Sequence, residues 1–429
     1  MDNIKKFGHN TFASLKIRNY RLYFIGQAVS LCGTWMQTIG QDWLVLKLTN
    51  SGTQLGIVSA FQFLPILLLG PLGGVIADRY SKRKVLYITQ TVSAVLALVL
   101  GALTITGAVQ IWMVYILALC LGIVNTINNP TALTFVFEMV GKESLPNAVT
   151  LNSTEVNLAR AVGPALAGAI IATSGLGPCF IFNGVSYIAV LVVLYMMDGS
   201  QLHRMAPAPR AKGQLMQGLR YVKNSPVLLN TLVMMSIIGT LSYEFSVVLP
   251  LMAQFTFHGG AGTYAALVAA TGAGSVLGGL FIASRKKADA RLLVTSALLF
   301  GLSLLVAALM PNLILALVVL VFTGVFSINF ISLGNTILQL ESAPEMRGRV
   351  MSLWSMAFLG STPIGGPIDG YIGEHIGPRW ALAVGGLAAV AAAALGSATL
   401  IKKVLPRPVS DEMAMEIEES CEEENRMPK

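Results

Sequence analysis

Twelve apolar stretches recur along this chain, each long enough to cross a ~30 Å hydrocarbon core. They run over 20–47, 52–77, 85–107, 110–137, 147–174, 177–198, 226–255, 262–284, 292–309, 312–339, 350–373 and 378–401. The bilayer interior offers no water to backbone N–H and C=O groups, so a crossing segment must satisfy them internally, as a helix does. Charge supports the same reading. Only 12% of the 429 residues are charged, against roughly 25% in soluble domains, so much of the exterior faces something other than water. The expected fold class is an all-α membrane protein of twelve transmembrane helices. The first stretch follows Lys5, Lys6, Lys16, Arg18 and Arg21 and is too long and too polar for a cleaved signal.

Orientation follows from the basic residues, because Lys and Arg beside a span resist translocation. Both termini and alternate connections (Arg79 to Lys84, Lys142, Arg204 to Lys223, Arg285 to Arg291, Arg347 to Arg349) hold 26 of the 29 Lys and Arg. The opposite loops hold Lys47 and Arg379, and Arg160 falls inside a span. Both termini are therefore expected in the cytoplasm, on a multi-pass protein of the inner (cytoplasmic) membrane. The formal net charge of +8 conceals a tail from Asp411 onward that nets −6. No basic run alternates with aromatics as a nucleic-acid groove requires, so nucleic acid is excluded as a partner. Cys32, Cys120, Cys179 and Cys421 show no paired spacing. Neither a disulfide framework nor a metal site is expected, and no cofactor.

The chain also repeats. Gly33-Thr34 recurs as Gly239-Thr240, Leu72-Gly73-Gly74 as Leu277-Gly278-Gly279, and Gly163-Pro164 as Gly366-Pro367, at offsets of 206, 205 and 203. This order implies a duplicated six-helix unit in parallel orientation, with a midplane site between two pseudo-symmetric halves and a central cavity. The expected organisation is a cytoplasmic N-terminal segment (1–19), a first half (20–198), a linker (199–225), a second half (226–401) and an acidic, disordered tail (402–429). Within the linker, Leu215, Leu219 and Val222 recur at helical spacing, which predicts a short amphipathic helix on the inner surface.

Polar residues within the spans are the candidates for chemistry. Gln27, Ser30, Thr34, Gln37 and Gln41 share one face of the first span, beside a heptad of Gly26, Gly33 and Gly40. That face either walls a pathway or hydrogen-bonds to another helix. Asn125, Asn128 and Asn129 in the fourth span, and Asn329, Ser332 and Asn335 in the tenth, pose the same choice. Arg160 lies about 13 residues into its span, or ~20 Å at 1.5 Å per residue, and requires an anion there. Glu155, five positions earlier, is poorly placed as its intrahelical partner. Glu244 sits in the outer half of its span, with Asp42 and Asp369 nearer the outer rim. Glu244, Glu155 and Asp42 are candidates for proton coupling as well as for static pairs, and Asp369 ranks below them.

At the turn after the second span stands GGVIADRYSKRK, from Gly73 to Lys84. Gly74 is expected to permit close helix contact, and Asp78 to accept bonds from a neighbouring helix N-terminus. With Gly74, Asp78, Arg79, Arg83 and Lys84 in place, the turn resembles the signature of the major facilitator superfamily, although Ser81 stands where that family prefers glycine. The stretches 18–37, 129–168, 217–226 and 347–353 resemble the branch of drug:proton antiporters, siderophore (enterobactin) exporters and macrolide efflux pumps. The resemblance covers residues 16 to about 400. It implies a monomeric transporter in which Asp78 and Arg79 belong to a cytoplasmic gate, and in which Gly163, Pro164 and Gly168 form an exporter-like packing motif. Thr131 and Ala132 stand where that branch often carries an arginine, so a charge relay to the fourth span is not implied. The corresponding turn of the second half has Ala283 near the position of Asp78, which makes the gate asymmetric.

The expected function is alternating-access export of a small amphipathic organic molecule, drug-like or siderophore-like, in exchange for protons, with multidrug resistance as one outcome. Uptake, or movement of a lipid such as a lysophospholipid, is the alternative within transporters. A non-transporting sensor lacks an output domain. An enzyme is not expected: there is no HExxH or GxSxG, and His9, His203, His258 and His375 lie near ends or loops.

Overall fold

The computed structural model describes residues 13–203, 214–283, 285, 289–343 and 345–401; the tail expected over 402–429 lies outside them. Polar caps set many helix starts. Ser51 accepts from the Gln54 N–H, Ser225 from Leu228, Asp289 from Arg291 and Asn312 from Leu315, each occupying one of the orphan donors of a first turn. The first group of helices is α1 (Arg18–Thr49), α2 (Gly52–Arg79), α3 (Lys82–Ile105), α4 (Ile111–Ser174) and α5 (Gly177–Met196). A short α6 (Gln214–Lys223) precedes α7 (Pro226–Leu241), α8 (Phe245–Leu251), α9 (Ala261–Ala283), α10 (Ala290–Leu309), α11 (Leu313–Glu341), α12 (Arg347–Phe358), α13 (Thr362–His375) and α14 (Pro378–Gly396).

Among the described residues, nine helical segments are long and apolar enough to cross a membrane, against twelve stretches read from the sequence. Three physical causes account for the difference. The glutamines and Asp42 make α1 less apolar than a simple span. The stretches 110–137 and 147–174 are joined in one 64-residue helix, α4, bent where Gly141 adopts φ 68 and ψ −177. A backbone of that hand favours glycine. The stretch 350–373 is divided between α12 and α13, neither of which is long enough to cross alone.

The bend in α4 is fastened from two sides. The His203 N–H donates to the Glu138 carbonyl at 2.7 Å, and the Glu138 carboxylate lies 3.3 Å from Lys82 Nζ. Helix α6, within the expected linker, packs on α7 and α12. Its Val222 is buried, its Tyr221 hydroxyl accepts from the Ala343 N–H at 3.0 Å, and its Gly218 approaches the side chain of Arg349.

Three apolar clusters dominate. One gathers Phe300, Leu304, Phe330, Leu382 and Ala389, another Tyr20, Tyr23, Phe135 and Leu194, and a third joins the two sets of helices by packing Leu44, Leu55 and Phe180 with Val247 and Leu251 of α8. The two sets of helices meet along two seams, α2 against α13 and the later arm of α4 against α9. Glycine makes both seams possible. A Cβ on Gly56 would lie 2.2 Å from the Gly366 carbonyl oxygen, and one on Gly52 would lie 2.6 Å from that of Gly370. On the other seam, a Cβ on Gly272 would lie 2.8 Å from the Arg160 carbonyl.

The seams close at one end only. Near the start of α2, Glu374 accepts from the Ser51 hydroxyl (2.6 Å) and the Thr53 N–H (2.9 Å), and the Gln254 amide donates to Asn50 at 2.7 Å. Towards the basic end, Gly70, Gly74 and Gly279 have no neighbour where a Cβ would stand, and Leu68, Leu72, Leu277 and Leu280 are exposed.

Candidate functional site

The residues singled out in the sequence fall into several environments. On α1, the Gln37 carbonyl oxygen accepts from the Asn183 amide of α5 at 2.8 Å, and the Gln41 amide donates to Gln62 of α2 at 3.1 Å. Both glutamines are buried and tie helices of the first group together. Asn329 is likewise buried, its amide donating to the Gly278 carbonyl at 2.9 Å. Asn125 is half-buried and Asn129 exposed. Asp42 bridges the two groups, accepting from the Tyr264 hydroxyl of α9 at 2.6 Å.

Arg160 is half-buried, with its guanidinium carbon 5.2 Å from the centre of the Trp35 ring. Its Nε has no hydrogen-bond partner, and no carboxylate lies within ion-pair distance among the described residues. A guanidinium over an indole face gains a cation–π contact and keeps its donors for an anion. Glu155 is buried near Tyr20, Tyr23 and Cys32, with Oε1 unpartnered. Gly163 packs on Trp35, and Gly168 on Ala265 of α9, with the buried Pro164 between them.

The second group breaks its helices at two neighbouring places. After Leu241 the chain leaves helical geometry until the Glu244 carbonyl accepts from Val247 and Val248 to start α8. Ser242 Oγ anchors the break to the Gly385 carbonyl at 2.6 Å, and the Tyr243 hydroxyl donates to the Ser327 carbonyl at 2.9 Å. The Tyr243 ring stacks on Phe300 with centroids 5.1 Å apart. The other break separates α12 from α13 around Gly360, and Pro363 follows at the start of α13, a position that suits its fixed φ. Glu244 reaches this start. It lies beside the Thr362 side chain and against Gly365 and Gly366. Asp369, one turn further along α13, is 1% exposed. The sequence marks Asp369 only by its place towards the end of a span; the fold adds that close packing of α13 on α2 encloses it.

At the basic end, Asp78, Arg79 and Lys84 are exposed. Arg83 donates to the Leu194 and Tyr195 carbonyls at 2.9 and 3.2 Å, satisfying the end of α5. Nearby, the Ser200 hydroxyl and N–H donate to the exposed Asp198 carboxylate and hold it below the usual carboxylate range. One expectation is corrected. Gly74 makes no close contact; Gly73 does, since a Cβ there would lie 2.0 Å from the Thr126 carbonyl of α4. Its repeat counterpart Gly278 packs in the same way on the Val325 carbonyl of α11, and Gly279 is open like Gly74. The pairing of Lys82 with Glu138, and Trp35, Tyr264 and Thr362, were not singled out in the sequence; only the charges of Lys82 in the basic turn and Glu138 beside a span marked any of them.

A family model described as transmembrane secretion effector, within the major facilitator superfamily, matches residues 9–423. The chain belongs to that family. It is a multi-pass membrane transporter. It is 25% identical to the staphyloferrin A transporter of Staphylococcus aureus, over 80% of this chain and 87% of that one. It is 24% identical to the enterobactin exporter EntS of Citrobacter koseri, over 86% and 89%. Macrolide efflux protein A of Streptococcus pyogenes is 23% identical over 87% of this chain and 95% of its own. In fold, the transporter resembles a POT family transporter crystallised with a thioalcohol-conjugated peptide (TM-score 0.74, 11% identity, 90% of this chain and 97% of that one). It also resembles a bacterial homologue of the lysosomal transporter Spinster in an inward-facing, occupied conformation (TM-score 0.69, 16% identity, 90% and 98%).

Proposed function

We propose that this transporter exports small amphipathic organic molecules in exchange for protons, by alternating access between two six-helix halves. In this reading the chain crosses the membrane twelve times: nine segments qualify on length and apolarity, and α1, the second arm of α4 and the α12–α13 pair supply the rest. Basic residues mark the cytoplasmic side, so seams fastened at Glu374 and loose beyond Gly70 describe an inward-open state.

The observation that carries proton exchange is the position of the buried carboxyls. Asp42 crosses from α1 to Tyr264 on α9, Glu244 occupies a helix break against α13, and Glu155 lies on the arm of α4 that forms the other seam. A carboxyl at a moving interface changes its surroundings when the interface opens, which couples protonation to shape. Arg160 over Trp35 suits an anionic group on a substrate with a flat apolar body. The printed names of the relatives support export of siderophores or drugs.

The test is flux from proteoliposomes under an imposed pH gradient. Gradient-driven flux should fall at least tenfold in Glu244→Gln, with smaller losses in Asp42→Asn and Glu155→Gln. Flux indifferent to the gradient and to all three would defeat the reading.

A second reading, lysophospholipid movement, draws on one feature. A groove of about 590 Å³ opens at the seam between α4, α9 and α11, lined by small apolar residues such as Ala165, Gly168, Ala265 and Val321. Accumulation of labelled lysophospholipid in right-side-out vesicles would favour it over export.

A further inference from the structure

Asp369 is a buried carboxyl that nothing in its surroundings explains. Both of its oxygens are enclosed and neither has a hydrogen-bond partner in the structure. Glu244 is 2% exposed, its Oε1 is equally without a partner, and its two oxygens lie against Gly365 and Gly366, about one turn before Asp369 on α13. Two carboxylates so placed repel each other, and an isolated buried charge is strongly disfavoured.

No cation relieves them among the described residues. At the outer end of α13 stand Glu374, bonded to α2, and His375, stacked on Tyr371. From α14 the only charged group is Arg379, which donates to the Ala308 and Met310 carbonyls. Helix α2 bears charge only at Asp78 and Arg79, α12 only at Arg347 and Arg349, each at the far end, and α7 and α8 bear none. Tyr243, in the break, is committed to Ser327, and Arg160 of α4, whose charge reaches Tyr243, makes no ion pair with either carboxyl.

The two carboxyls differ in what surrounds them. Glu244 has the Thr362 hydroxyl and the start of the 14-residue helix α13, an environment that favours negative charge. Asp369 has neither. A site with one stabilised carboxylate and one unsupported neighbour accommodates one added proton.

Building on the proton-exchange reading, we propose that Glu244 and Asp369 form one proton site, holding a single proton between them while the outer seam is closed. Loss of the proton to water breaks one O–H bond and leaves its electron pair on the oxygen. The resulting pair of like charges pushes α13 from the α7–α8 break and favours reopening of the α2–α13 seam. Asp369 thereby acquires a role in coupling, and the two helix breaks become the element that proton occupancy moves.

Spin labels at Lys47→Cys and His375→Cys, on a chain whose native cysteines are replaced, read the outer seam in lipid without substrate or gradient. In the parent the seam-open population should rise roughly tenfold or more between about pH 5 and about pH 9. Asp369→Asn and Glu244→Gln should each leave the seam closed and its distance distribution independent of pH. The exchanged pair Glu244→Asp with Asp369→Glu should restore the pH response, which separates a proton site from a merely structural contact. An unchanged response in either single variant, or a response set by sodium in place of pH, would overturn the proposal. Gradient-driven flux that survives both variants would remove this site yet leave proton exchange standing. Flux indifferent to the gradient, with the seam response intact, would do the reverse.

Discussion

A single carboxylate, that of Glu374, ties the end of α13 to the start of α2 through two hydrogen bonds. It is exposed, so screening limits its worth to about 1 kcal/mol. A conformational equilibrium is sensitive to that amount: Glu374→Ala should raise the seam-open population roughly fivefold, measured as faster labelling of a cysteine placed at Thr53. The Lys82–Glu138 pair is of another kind. Its side chains are 8% and 9% exposed, and removing one partner strands the other, at a cost of about 3 kcal/mol. Thermal unfolding of purified Glu138→Gln should show the loss, and Lys82→Met with Glu138→Leu should recover most of it. Such partnerships were not legible in the sequence. Lys82 and Glu138, Asp42 and Tyr264, and Glu244 and Asp369 are joined only by the packing of helices distant along the chain, whereas the types of the residues, charges within apolar stretches, were plain.

At the scale of elements, the seams depend on backbone approaching backbone. Gly56→Leu should hold α2 and α13 apart, because even its Cβ would meet the Gly366 carbonyl. The protein should fold, since the apolar clusters within each group of helices are untouched, but with the outer seam unable to close and transport lost. Gly260→Ala serves as the control, since the open space there accepts a methyl group away from both seams; the pair can be compared by transport rate and by seam labelling. The helices themselves were legible, because apolar runs of this length have one structural outcome in a bilayer. The breaks were harder to see. Neither Ser242 nor Tyr243 is a helix breaker, and what holds that segment open is its tertiary bonding to Gly385 and Ser327. The bend of α4 was hidden for the opposite reason: Gly141 has its special φ, but the residues around it remain helical on both sides.

At the scale of the molecule, two groups of helices are fastened at one end and parted at the other, with partnerless carboxyls where they meet. The repeated glycines mark this architecture in the sequence, since Gly73 on α2 and Gly278 on α9 pack alike on their neighbours. Substrate identity is less legible, because the polar face of α1 is largely occupied in joining helices, and only Arg160 with Trp35 indicates what a substrate carries. In the proposed cycle, proton movement drives export. Reconstituting the transporter with a fluorescent amphipathic anion and imposing a pH gradient of either sign measures this coupling. Substrate should move opposite to the proton gradient, reversing when the gradient reverses, with movement suppressed in Glu244→Gln. Transport of equal rate under both gradients, unchanged in that variant, would contradict it.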